Sequence, residues 1–163
     1  QKTKKLAEEL LDLANSSFTA KRRKLKLVHP AEIEALALAA LKNSSALVVD
    51  ERTTRLLVEN PEKLRKIMEK KLHTKVSVDM KKLRDFREKT GSVQMLRSAE
   101  LVTIAYEKGL LEKYLPNMPK PRKELVGSVL WGLKLNGCSI SKREIEKIVK
   151  LETKSKKSAQ SPD

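Results

Sequence analysis

The hexapeptide "SALVVD", Ser45 to Asp50, sits between two helical patterns, and this placement limits the fold more than any other feature. Its apolar residues are consecutive and too few for a helix, so it reads as a short strand apolar on both faces. Upstream, "HPAEIEALALAALKNSS" is a marked helix. Pro30 suits its first turn, Glu32 and Glu34 favour its positive end, and Asn43-Ser44-Ser45 closes it. Its expected core stripe is Ile33, Leu36, Ala37, Ala40 and Leu41. Downstream, helices are expected from about Arg52 to Glu59 and again from Pro61. Further strands are expected at Lys24 to Val28 and in "TKVSVD", which ends at Asp79. Strands alternating with helices predict parallel pairing and a helix-rich α/β fold, with a parallel sheet flanked by helices.

The rest of the chain is helical in outline. Leu6, Leu10 and Leu13 share one face of a helix over Lys4 to Asn15, which Asn15-Ser16-Ser17 breaks. Asp79 can cap a helix from Met80 to Lys89 that Gly91 ends. Val93 to Lys108 reads as helix. Pro116, Pro119 and Pro121 form a stiff connection, and a long helix follows from Lys123 to Leu135. "SKRE", Ser141 to Glu144, is a capping box for the last helix. A single domain over 1–150 is expected, with an inserted basic helical segment at about 59–94 and a flexible basic tail over 151–163.

Charge narrows the function classes. The formal net charge of +15 favours a polyanionic partner, most simply RNA or DNA. Aromatic residues are only 3%, which poorly supplies a base-stacking platform. Lys21, Arg22 and Arg23 form a basic cluster, and Arg52 and Arg55 stand at a helix start where phosphate can bind. Arg55 also lies four residues before Glu59, and pairing with it is the preferred reading. The single Cys138 excludes an internal disulfide and reads as a small buried residue. Two histidines and one cysteine give no zinc-ligand spacing. With no membrane-length apolar run and no signal peptide, a cytoplasmic protein is expected.

Three acids fall at expected strand ends or helix starts: Glu32, Asp50 and Asp79. In one parallel sheet they would share an edge, where ligands bind. Such a carboxylate set suits Mg²⁺ or Mn²⁺. Glu34 points to the opposite flank from Glu32, so at most one of the two would reach a shared site. Each acid alone is equally an ordinary helix cap.

The segments "AEIEALALAALKNSSALVVDERTTRLL", "LRSAELVTIAYEKGLL" and "LWGLKLNGCSISKREIEKI" resemble PIN domains, the ribonuclease fold of VapC-type toxins and archaeal RNA-processing nucleases. Glu32 and Asp50 match two family acids in order and spacing, and Glu34 stays a candidate. The resemblance implies a three-layer, Rossmann-like parallel sheet and Mg²⁺- or Mn²⁺-dependent endoribonuclease activity. Glu32 and Asp50 would be catalytic, with Glu34, Glu51 or Asp79 assisting at the metal. It also implies an RNA substrate, a homodimer, and a protein partner of antitoxin or ribonucleoprotein type. PIN domains open with a central strand carrying an Asp. Nothing before Lys24 reads as that strand, and Glu8, Glu9 and Asp12 do not match it. The expectation is a strand upstream of Gln1, or else a degenerate domain that binds RNA without cutting it.

Two non-catalytic functions compete. "LVGSVLWGLKLNGCSISKREIEKIVKL" can be drawn as a DNA-reading helix-turn-helix with Gly137 in the turn and Lys142, Arg143 and Lys147 on the second helix. The plainer alternative, and the preferred one, is a helical hairpin burying Trp131, Leu135, Ile145 and Ile148. A basic ribonucleoprotein component without metal dependence is the other.

Overall fold

In the computed structural model the described residues are 1–155, with side chains described to Lys154. Two compact units divide the chain, Gln1–Met95 and the segment from Leu96 onward; both begin inside the span expected to form one domain. Among the described residues there are eight α-helices and five short strands, so the chain is a helix-rich α/β protein.

The first unit opens with α1, Lys2–Ser16. A β-hairpin follows, made of β1 (Phe18–Ala20) and β2 (Arg23–Lys24). Then come α2 (Pro30–Leu41), β3 (Ala46–Val48), α3 (Arg52–Glu59) and α4 (Pro61–Leu72). β4 (Val76–Val78) and α5 (Met80–Thr90) complete the segment, and β5 (Gln94–Leu96) closes it. Leu10, Phe18, Ile33, Leu36, Leu57 and Phe86 are fully buried and form its core.

The strands do not share one parallel sheet. β1 pairs antiparallel with β2 on one side and with β4 on the other. β3 lies in a separate two-stranded sheet with β5. The expected strand at Lys24 to Val28 is therefore mostly not a strand. Its ladder stops after Leu25, whose N–H donates to the Phe18 carbonyl over 2.9 Å. Beyond it, Asn15 Oδ1 accepts the N–H groups of Leu27 at 2.7 Å and Val28 at 3.2 Å. One side-chain amide thus takes the place of a neighbouring strand. β3 also departs from the doubly buried strand expected, since Val48 is 46% exposed.

The helix boundaries follow their local signals more closely. His29 caps α2 with Pro30 in its first turn, and Leu36 and Ala37 are buried as expected. Leu41 is exposed, and Ala39 is buried instead. Asn60 ends α3 and caps α4 through a 2.9 Å bond from the Lys63 N–H. Gly91 ends α5 at φ 63°.

The second unit contains α6 (Ser98–Glu107), a 3-10 turn (Glu112–Tyr114), α7 (Pro121–Leu135) and α8 (Lys142–Ser155). The helix expected over Val93 to Lys108 is split into β5 and α6. Its core is Ala99, Tyr106, Val126, Leu130, Cys138, Ile140 and Ile145. Trp131 and Leu135 do not join it; they are 38% and 80% exposed. The "SKRE" capping box is present: the Ser141 N–H donates to Glu144 at 2.8 Å, and the Glu144 N–H donates to Ser141 Oγ at 3.2 Å. The tail expected from 151 is helical through Ser155, and 156–163 lie outside the described residues.

Candidate nucleic-acid interface

The β1–β2 hairpin turns in two residues, Lys21 and Arg22, with φ of 48° and 63°. Two positive φ values mark a type I′ turn, which matches the right-handed strand twist and favours Asn-Gly. Lys and Arg occupy these positions at a steric cost. Lys21, Arg22, Arg23, Lys24 and Lys26 are all exposed. Among the described residues none of the five has an acidic partner. Three other cations of this unit do pair with acids: Arg55 with Glu59, Arg65 with Glu62 and Glu69, and Lys89 with Glu9.

The hairpin sheet has two different faces. Phe18, Ala20 and Val76 point inward and are buried. Thr19 alternates to the other face, and the register places it across from Lys24 on one side and Ser77 on the other. An amine and two hydroxyls therefore form one outward row. Sequence reading found Lys21, Arg22 and Arg23 but missed Thr19, Lys24 and Ser77. Those three become neighbours only through the hairpin and the β4 pairing.

The acids are dispersed. Glu51, not Asp50, caps α3, accepting the Thr54 N–H at 2.7 Å. Burial raises the Glu51 pKa, but hydrogen bonds from Thr53 and Thr54 outweigh it and hold the carboxyl below its ordinary value. Asp50 is half-buried at the end of the β3 segment. Asp79 caps α5, accepting the N–H groups of Lys81 at 3.1 Å and Lys82 at 3.2 Å. Glu34 is exposed on α2. Glu32 lies in the first turn of α2, 3.7 Å from His29 Nδ1, and its Oε2 is buried without a hydrogen-bond partner among the described residues.

One orphaned carboxylate oxygen is not a coordination set. Mg²⁺ and Mn²⁺ call for several oxygen ligands in near-octahedral geometry. Among the described residues no three His, Cys, Asp or Glu side chains come together to hold a metal. As placed, Glu32, Asp50, Glu34 and Asp79 do not fit a divalent cation jointly.

Of the two arginines, Arg55 donates to Glu59 at 2.8 Å, the pairing preferred from the sequence. Arg52 is exposed. In the second unit, α7 and α8 do form helix, turn and helix, with Gly137 at φ 102° in the turn. Lys142 pairs with Glu146 at 3.8 Å. Arg143, Lys147, Lys150 and Lys154 recur at helical spacing and form one exposed stripe, twice the length the motif suggested.

Comparison of the chain with protein-family models, with curated proteins and with solved structures finds no match. Among the described residues no helix is long and apolar enough to cross a membrane.

Proposed function

We propose that this chain binds RNA through its phosphate backbone, with the β1–β2 hairpin as the principal contact. One observation carries this: five exposed cations, Lys21, Arg22, Arg23, Lys24 and Lys26, surround a tight turn, and none has an acidic partner among the described residues. Unpaired cations clustered on a rigid element attract phosphates and release their counterions. The test is a fluorescence-anisotropy titration of a labelled RNA with the full chain. Lys21→Ala/Arg22→Ala/Arg23→Ala should weaken binding at least about tenfold. Unchanged affinity would remove the hairpin from the interface.

Metal-dependent RNA cleavage of the PIN type is the second function, and the orphaned Glu32 Oε2 favours it. Catalysis there needs carboxylates beyond those the described residues bring to Glu32. Calorimetric titration of the chain with Mn²⁺ tests it: binding that Glu32→Gln abolishes supports the function, and no heat of binding argues against it.

A further inference from the structure

We infer that the hairpin sheet recognises double-stranded rather than single-stranded nucleic acid, gripping the phosphodiester backbone of a duplex with the turn and the outward row Lys24, Thr19 and Ser77. This rests on the nucleic-acid binding proposed above and adds the form of the partner.

Single-strand binders gain much of their affinity by stacking bases on aromatic rings. The first unit contains no Trp or Tyr, and both of its Phe residues, Phe18 and Phe86, are fully buried. It has no aromatic ring of these types to offer an unstacked base. What it presents instead are donors suited to phosphate and sugar oxygens. The Thr19 and Ser77 hydroxyls make no hydrogen bond among the described residues, and Lys24 continues their row. The ladder fixes this row across three strands, so its spacing is rigid. A rigid donor array gains most from a phosphate array that is itself rigid, which a duplex provides and a flexible strand does not.

The turn adds a second element. The hairpin turn closes one end of the three-stranded sheet, beside the row. Lys21 and Arg22 stand at its tip, exposed, where they can reach backbone phosphates next to those the row contacts. Asn-Gly would close the same turn at lower conformational cost but would present no cation. The positive φ values at Lys21 and Arg22 are explained if charge at the tip is what the turn serves. A duplex of RNA and one of DNA share this backbone chemistry.

The experiment compares four labelled probes of one 20-nucleotide sequence with the full chain at one salt concentration. They are the RNA duplex, the DNA duplex, and a single strand of each. Preference for a duplex over its own single strand of about tenfold or more is expected, and Lys21→Asn/Arg22→Gly should reduce that preference several-fold. Whichever duplex binds more tightly identifies the source. Single strands bound as tightly as duplexes would overturn the inference while leaving nucleic-acid binding intact. Binding to none of the four probes would overturn both.

Discussion

Lys21 and Arg22 stand side by side at the tip of the β1–β2 hairpin, both in the left-handed backbone region. Each such non-glycine residue costs on the order of 1–3 kcal/mol. Lys21→Asn/Arg22→Gly restores the preferred type I′ residues. The double variant should be more stable by about 1 kcal/mol or more. That corresponds to a rise in Tm of roughly 4–8 °C for a unit of this size. Thermal unfolding followed by circular dichroism checks it, and a fall in Tm would show that the turn is not strained.

Asn15 closes a gap in the sheet by accepting two backbone N–H groups, from Leu27 and Val28. Asn15→Ala leaves both donors without their partner in a half-buried segment. A loss of about 1–3 kcal/mol is expected in urea unfolding. A change within a few tenths would mean that water replaces the amide at no cost.

Glu144 caps α8 with Ser141 and lies 3.0 Å from the Arg97 guanidinium. Burial raises its pKa, but the Ser141 hydrogen bonds and Arg97 win, holding it down at about 2 from an ordinary 4.5. Its folded pKa is below its unfolded one, so the ionised carboxylate stabilises the helix start above about pH 4.5. That contribution fades as pH falls toward 2. Stability measured across this window should drop, and Glu144→Gln should flatten the drop. An equally steep profile in the variant would assign the acid sensitivity to other carboxylates.

Phosphate binding by the hairpin would rest on its Lys and Arg side chains, which act without a bridging cation. RNA affinity should be the same, within about twofold, in EDTA and in Mg²⁺ at matched ionic strength. A requirement for Mg²⁺ would bring the metal back into the interface and Glu32 with it.

Much of the helical framework is legible because its signals are local. Pro30, the Asn60-Pro61 junction, Gly91 and "SKRE" each act within one turn of backbone, and each sits where the sequence places it. The hairpin is not legible for the same reason. Its turn carries Lys-Arg instead of Asn-Gly, so the local signal is absent, and the alternation in "KLKLV" suggests a strand just beyond it. Periodicity also cannot tell which strands become neighbours. Asp79 therefore follows a strand of the hairpin sheet and Asp50 follows a strand of the other. Trp131 shows a further limit: its helical spacing suits a core, but the cores close on Leu130 and Ile145 and leave it exposed. The basic cluster was visible as composition; the outward row of Lys24, Thr19 and Ser77 exists only through register.

The most direct test is the salt dependence of RNA binding by the full chain and by Lys21→Ala/Arg22→Ala. Each phosphate contact adds about 0.7–0.9 to the slope of log K against log salt. Loss of the two turn cations should reduce the magnitude of that slope by about 1.4–1.8. An unchanged slope in the double variant would contradict the placement of the turn on phosphate.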